Sequence, residues 1–433
     1  MSEWKEIELG NNADILSSKR IFAADYVSEG IPFYRSKEAI ERALGQPISN
    51  PLFISKDKYD SIKDKYGAPI DGDILIAAVG ERAGIPYLVS GDGDFYFKDG
   101  NLIWIRNFTK DLDSTFLLYF LNSRIGQFQL NNMMIGSAQK ALTIVGLKGM
   151  RIEIPEIEEQ KQIAKTLSNL DQKVNLLRQQ NQTLEELAQT LFKRWFVEFE
   201  FPNENGQPYK SSGGKMIDSV PTSIGMGEIP EGWQLSTIGE NIETIGGGTP
   251  STTEPTFWED GEVLWYSPTD LTKEKSMYSN GSAKKITKLG LQKSSAKLFP
   301  AYSLLMTSRA TVGELTINTH TACTNQGFIT LIPNDSLSIY YLYNWLKSKL
   351  KTVHNLASGS TFPEISKTDF RNIEVLLASK CVHSEFDDII KPIFKSIENN
   401  TKEIQSLTQL RDTLLPKLMS GELTINQEAL KNV

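Results

Sequence analysis

The chain has 433 residues, 39% of them hydrophobic and 23% charged, with a formal net charge of −7. That length allows two or three domains, and the composition is that of a folded globular protein. No apolar run approaches the ~18 residues a membrane span needs. The opening Met1-Ser-Glu-Trp-Lys-Glu6 has neither the basic nor the apolar region of a secretory signal, so a cytoplasmic protein without membrane contact is expected. Cys323 and Cys381 form no CxxC, and His320, His354 and His383 share no ligand spacing. A disulfide framework and a metal site are therefore not expected.

Read from the N-terminus, the first half sets out a series of segments that the second half repeats in the same order. Trp4-Lys-Glu-Ile-Glu-Leu-Gly10 returns as Trp233-Gln-Leu-Ser-Thr-Ile-Gly239, 229 positions later. Gly30-Ile-Pro-Phe-Tyr-Arg-Ser36 returns as Gly261-Glu-Val-Leu-Trp-Tyr-Ser267. Ile74-Leu-Ile-Ala-Ala-Val-Gly-Glu-Arg-Ala-Gly84 returns as Ser303-Leu-Leu-Met-Thr-Ser-Arg-Ala-Thr-Val-Gly313, again at 229. Each of these last two reads as a buried strand entering a turn that carries an arginine and ends on glycine. Asn101-Leu-Ile-Trp-Ile105 matches Gly327-Phe-Ile-Thr-Leu331, and an apolar helical stretch follows each, at 116–122 and 339–346. Gly136-Ser-Ala138 matches Gly359-Ser-Thr361 at an offset of 223, and a strand closes each half, Met150–Pro155 and Asn372–Leu377.

A heptad helix follows each half. From Glu156 to about Phe199 there is no Gly or Pro. Its apolar positions run Ile163, Leu167, Leu170, Val174, Leu177, Asn181, Leu184, Ala188 and Leu191, the 4-3-4-3 spacing of a coiled coil. The second helix is expected from about Glu385 to Leu415, stopped by Pro416. Its seam reads Phe386, Ile390, Ile393, Ile397, Asn400, Ile404, Leu407, Arg411 and Leu414, coinciding with the first at an offset of 223. Asn181 and Asn400 stand at non-equivalent seam positions. They either fix register inside the seam or tip into solvent. A helix of ~43 residues is roughly 65 Å long, more than an intervening domain with a radius of gyration near ~16 Å bridges easily. Antiparallel packing is therefore expected, with one globular domain at each end of the rod and a pseudo-two-fold relation. Pro202 to Pro230 has the Gly, Pro, Ser and Asn content of an exposed linker.

Between Lys273 and Arg309 the basic residues Lys273, Lys275, Lys284, Lys285, Lys288, Lys293, Lys297 and Arg309 face only Glu274, a local excess of seven positive charges. A nucleic-acid backbone would explain it; so would an ordinary solvated lysine face. No catalytic constellation stands out. Gly246-Gly-Gly-Thr-Pro250 lacks the lysine of a phosphate loop and reads as a turn. The methyltransferase signatures Asn-Pro-Pro-Tyr and Phe-x-Gly-x-Gly, and helicase nucleotide motifs, are absent from the sequence. Trp4, Trp195, Phe196 and Trp233 read as core or interface anchors.

The order domain, heptad helix, domain, heptad helix resembles the specificity subunit of a Type I restriction–modification enzyme. Glu159-Gln-Lys-Gln-Ile163 with Leu184-Glu-Glu-Leu-Ala-Gln-Thr-Leu-Phe-Lys-Arg-Trp-Phe196 is similar to that family's central conserved region. Leu414-Leu-Pro-Lys-Leu-Met-Ser-Gly-Glu-Leu423 is similar to its C-terminal signature, and Ile229-Pro-Glu-Gly-Trp233 to the opening of a recognition domain. Gly247-Gly-Thr-Pro-Ser251, Lys285-Ile-Thr-Lys-Leu-Gly290, Thr307-Ser-Arg-Ala-Thr-Val-Gly313 and Thr324-Asn-Gln-Gly-Phe328 also resemble motifs of such domains. The first domain departs most, with Ala77-Ala-Val-Gly80 where the second has Thr-Ser-Arg.

The resemblance implies an α/β fold class: two globular α/β target-recognition domains joined by two long antiparallel coiled-coil helices. The divisions are 1–155, helix 156–201, linker 202–230, second domain 231–379, and helix with tail 380–433. It also implies a non-catalytic subunit whose domains each read one half of a split double-stranded DNA target. The helices would set the spacing and dock two modification subunits, which use S-adenosylmethionine to methylate adenine. Two restriction subunits using ATP and magnesium could join. Arginine suits guanine edges, Asn and Gln suit adenine, and lysines suit phosphates. The candidate DNA contacts are Lys284, Lys285, Ser308, Arg309, Thr311, Asn325, Gln326, Ser360 and Thr361 in the second domain. In the first they are Lys19, Arg20, Arg35, Lys37, Arg82 and Lys140. Three other readings stay open: an adaptor that binds only proteins, a catalytic protein with an unrecognised site, and a specificity subunit of a related system without a Type I restriction subunit.

Overall fold

A computed structural model describes residues 4–46, 48–136, 140–218, 227–359 and 363–424. It divides into two compact units: 1–175 with 406–433, and 176–405. Among the described residues, no helix is long and apolar enough to cross a membrane.

The first unit opens with strand Lys5–Glu8, paired antiparallel with the closing strand Arg151–Ile154. Its main sheet runs in the order Asp14–Leu16, Leu102–Arg106, Ile74–Ala77, Pro86–Leu88. The Ile-Leu-Ile-Ala strand is buried at all four positions, as expected for a strand covered on both faces. A second four-stranded sheet runs Tyr26–Val27, Leu52–Ile54, Ile31–Tyr34, Tyr96–Phe97, with the last pair parallel. Helix Ser114–Asn122 begins where the Asp113 carboxylate accepts the Phe116 N–H at 2.9 Å. It buries Phe116, Leu117 and Phe120 against the sheet.

The second unit repeats this plan. Gln234–Thr237 pairs antiparallel with Glu374–Leu377. A five-stranded sheet runs Glu243–Gly246, Phe328–Ile332, Leu304–Thr307, Leu315–Asn318, Tyr278–Ser279. A three-stranded sheet holds Val263–Tyr266 between Lys284–Ile286 and Ala322–Thr324. Helix Ile339–Leu356, capped by the Ser338 hydroxyl, covers the sheet. Residues 202–218 are largely exposed, yet they are pinned at their start, where Phe201 stacks on Tyr209 and Trp233.

The long helices are Ile157–Phe196 and Lys380–Met419, and they pack together in each unit. The first ends before Phe199, whose φ of +62° breaks the helical path. The second was expected to stop before Pro416, but it continues to Met419 and includes Pro392 as well. A proline costs one backbone hydrogen bond. Here Leu418 and Met419 are buried in the first unit's core, which holds the last turn in place.

No seam residue from Ile163 to Leu191, or from Phe386 to Leu414, is exposed. In the second unit, Asn400 Nδ2 donates to Asn181 Oδ1 at 2.9 Å. Further along that helix pair, Phe192, Trp195 and Phe196 surround Phe386. Rising numbers on one helix meet falling numbers on the other, so the pair is antiparallel. That sense brings the two non-equivalent asparagines face to face. In the first unit, Ile163 and Leu167 share a core with Leu418 and Met419. There Arg411 Nη1 reaches Asp171 Oδ1 at 2.7 Å, and the Tyr119 hydroxyl donates to Asp171 Oδ2 at 2.7 Å.

Candidate nucleic-acid interface

In each unit the central strand runs out into a turn held from both sides by backbone hydrogen bonds. In the second unit, the Ser308 N–H donates to Gly327 O at 2.8 Å and its carbonyl accepts from Ile365 N–H at 3.0 Å. Gly313 N–H closes the turn onto Thr307 O at 2.9 Å. In the first unit, Ala78 N–H donates to Asn101 O at 2.8 Å, Ala78 O accepts from Leu142 N–H at 2.7 Å, and Gly84 N–H closes onto Ala77 O at 2.8 Å. These bonds equate Ala77 with Thr307 and Ala78 with Ser308, an offset of 230, while Gly84 still equates with Gly313 at 229. The first unit's turn is therefore one residue longer. The 229 register expected along the strand is corrected accordingly.

The correction separates two arginines. Backbone bridges Arg309–Glu364 and Val79–Ala141 place Val79 at the position of Arg309. Arg82 belongs to the longer part of the first turn; it is exposed and makes no ion pair with a described residue. Arg309 Nη2 is bound to Glu364 Oε1 at 2.7 Å, with both side chains about half exposed (47% and 43%). That carboxylate raises the guanidinium's affinity for its proton.

The other second-unit candidates divide by task. Ser308 is buried, with its backbone groups committed to the turn. Thr311 is exposed, and its carbonyl accepts from the Thr307 hydroxyl. Asn325 uses its N–H on Tyr266 O at 2.9 Å and its Oδ1 on Gly327 N–H at 2.8 Å, so it shapes the loop. Gln326 is exposed, and its Oε1 accepts from the Thr249 hydroxyl at 2.7 Å. Lys284 and Lys285 are exposed on their strand, with Lys284 Nζ 5.7 Å from the Trp258 ring centroid. Ser360 and Thr361 lie outside the described residues. In the Gly246-Gly-Gly run the last two are close-approach positions: a Cβ at Gly247 would sit 2.0 Å from Asn325 O and one at Gly248 2.2 Å from Ser295 Oγ, and Trp265 Nε1 donates to Gly248 O at 2.9 Å.

In the first unit, Arg20 Nε donates to Asp99 Oδ2 at 2.8 Å. Lys19 is exposed, with its N–H on the Tyr96 hydroxyl at 2.9 Å and its ammonium 5.1 Å from the Tyr66 ring centroid. Arg35 is half-buried at a helix start, and it donates to the Glu38 carboxylate from its backbone N–H at 2.8 Å (Oε2) and from its guanidinium. Ser267 and Asp270 make the same bond at 2.7 Å in the second unit. Lys37 stands 3.9 Å from Glu41. Lys140 is exposed and contributes its carbonyl to the turn, accepting Gly80 N–H at 3.2 Å. Arg35, Ser36, Lys37, Asn50, Leu52 and Asn101 border an open depression of about 720 Å³. The sequence pointed to neither Asp99, Glu364 nor Thr249 as individual site residues. Each is a polar partner brought from a distant segment, and only tertiary structure reveals it.

Among the described residues, no group of three or more His, Cys, Asp or Glu side chains is placed to hold a metal ion. A profile of the Type I restriction modification DNA specificity domain matches residues 1–186 and again 230–409. The chain belongs to that family. The doubled match follows the doubled fold, and DNA sequence recognition is the work of a specificity subunit. The chain is 26% identical to the Type I restriction enzyme HindI specificity subunit of Haemophilus influenzae, covering 98% of this chain and 100% of that one. It is 27% identical to the MjaIX specificity subunit of Methanocaldococcus jannaschii, over 72% and 70% of the two chains. The crystal structure of a Type I restriction–modification S subunit from M. genitalium shares the fold, with a TM-score of 0.61, 18% identity and 96% of each chain covered.

Proposed function

We infer that each unit reads one half of a bipartite DNA site, through the corner where its central-strand turn meets the loop before the neighbouring strand. The observation that carries this reading is a backbone hydrogen-bond frame repeated in both units under side chains that differ, half-buried and apolar in the first unit, exposed and basic in the second. Val79 stands where the other unit has Arg309, and Leu52 and Phe53 stand where it has Lys284 and Lys285. A shared frame with exchanged side-chain chemistry suits two readers of different sequences. On this reading, recognition domains 1–155 and 231–379 are connected by the linker 202–230, with helices 156–201 and 380–433 setting half-site spacing.

The same helices would dock two modification subunits. Leu187 and Leu410, 223 positions apart, are each 47% exposed, giving each unit an apolar contact at the same repeat position. The modification subunits would use S-adenosylmethionine to methylate adenine, and two restriction subunits using ATP and magnesium would join them. This chain alone would carry no catalysis.

Nuclease protection by the chain with its modification partner tests the reading. Protection should be confined to a split site and should fall steeply with salt, roughly 10³–10⁵-fold between 50 and 200 mM if 6–10 phosphates are contacted. Equal protection of every sequence would refute it. Arg309→Ala should relax specificity in one half-site only; equal loss in both halves would refute the two-reader arrangement.

A further inference from the structure

We propose that the Arg20–Asp99 pair of the first unit and the Thr249–Gln326 pair of the second occupy one structural position, at which Arg20 reads guanine and Gln326 reads adenine. The proposal deepens the half-site reading above and rests on it.

Two independent backbone registers make the equivalence. On one side, Asp14, Ile15 and Leu16 face Arg106, Ile105 and Trp104, as Glu243, Thr244 and Ile245 face Ile332, Leu331 and Thr330. Leu16 therefore equates with Ile245, and four residues on, Arg20 equates with Thr249. On the other side, Tyr34 pairs with Phe97 as Tyr266 pairs with Thr324. The next N–H, of Lys98 or Asn325, donates back to Tyr34 O at 2.8 Å or Tyr266 O at 2.9 Å. One residue further, Asp99 equates with Gln326. The side chains at these separately derived positions then meet in both units. Arg20 Nε lies 2.8 Å from Asp99 Oδ2, and Thr249 Oγ1 lies 2.7 Å from Gln326 Oε1.

The contact is kept while its chemistry is exchanged, a charged pair for a neutral one. A contact needed only to close the loop would not demand opposite chemistry in two copies of one frame. A position facing two different DNA half-sites would. Each pair also leaves the right atoms free. Asp99 holds Arg20 through Nε alone, and the arginine side chain is 67% exposed against 16% for its partner. The terminal nitrogens of a plane fixed in this way match the O6 and N7 acceptors of guanine. Thr249 donates to Gln326 Oε1 and so orients the amide. Nε2 is left as donor and Oε1 keeps a second acceptor site, the complement of adenine N7 and N6–H.

The test uses the full chain assembled with its modification partner and reads the methylated motif by sequencing modified DNA from an oligonucleotide library. Exchanging Arg20→Thr with Asp99→Gln should replace a guanine by adenine at one position of the first unit's half-site and leave the other half unchanged. Arg20→Lys, at an exposed site, guards against a folding failure of the exchange. It keeps the charge and the salt dependence, and should cut the preference for that guanine by about 5–150-fold, the span of one bidentate contact. A wild-type complex without a bipartite motif would overturn the half-site reading itself. A wild-type bipartite motif that Arg20→Lys leaves unchanged, or changes only at a base other than guanine, would overturn this inference alone.

Discussion

Replacing Asn181 by leucine removes the acceptor that Asn400 uses across the seam of the second unit's helix pair. Asn181 is 9% exposed and Asn400 half-buried, so water restores only part of the lost bond. An amide–amide hydrogen bond is worth about 1 kcal/mol net, and an amide left buried without a partner costs about 1–3 kcal/mol. The partial exposure of Asn400 puts the single variant near 2 kcal/mol. In a unit of this size that lowers the midpoint by roughly 4–8 °C. Asn181→Leu together with Asn400→Leu removes both polar groups and extends an apolar seam, so the double variant should recover most of the loss. Urea denaturation of the wild type, both single variants and the double variant gives the coupling energy. Strictly additive losses would refute the reasoning, because the two asparagines would then not act as a pair.

Arg411→Met should cost the first unit about 1–3 kcal/mol in the same assay, since Asp171 would keep only the Tyr119 hydroxyl at a half-buried site. Asp171→Asn with Arg411→Met should be milder than Arg411→Met alone. Gly313→Ala should destabilise the second unit by about 1–2 kcal/mol: its φ of +93° disfavours a side chain, and a Cβ there would meet the His354 ring at 3.1 Å. His383 is pushed down to about 4 by burial between Phe196 and Tyr341. Its unfolded value lies near ~6.5, so the unfolded chain binds the proton more tightly. Stability should be complete above about pH 6.5 and decline as pH falls toward 4, on the order of 2 kcal/mol by pH 5. Wild type should therefore lose stability relative to His383→Phe between pH 8 and pH 5, by on the order of 2 kcal/mol in melting curves of the two. Parallel pH profiles would contradict it.

The helices were legible because their signal is periodic. A 4-3-4-3 pattern free of glycine and proline from Glu156 to Phe199 admits few alternatives. The second helix was harder to bound. Pro392 and Pro416 both lie inside it, and the packing of Leu418 and Met419 overrides a local breaker. The strand-and-turn frame was legible in outline, since Ile74–Ala77 and Leu304–Thr307 are both fully buried runs. Its register was not. Residue matching aligned Arg82 near Arg309 at a single offset, whereas hydrogen bonds to Asn101, Leu142, Gly327 and Ile365 place the extra residue inside the first turn. A one-residue difference within a turn leaves no compositional trace. It decides which arginine has a counterpart.

The same limit applies to the partners of the surface arginines. Glu364 is 55 residues from Arg309 and Asp99 is 79 from Arg20, separations at which no periodicity operates. Both guanidiniums are held by carboxylates, but only Arg20–Asp99 has a polar counterpart in the other unit, since Val79 and Ala141 replace Arg309 and Glu364. Arg309 thus marks chemistry that one unit has and the other lacks. Arg20 marks a contact that both keep with different residues. If the corners read DNA, an exchange at the second kind of position should convert one base preference into another. Loss of the first kind should only relax one. The two classes of variant can be separated in a single motif-sequencing experiment, because conversion and relaxation leave different signatures at the altered base.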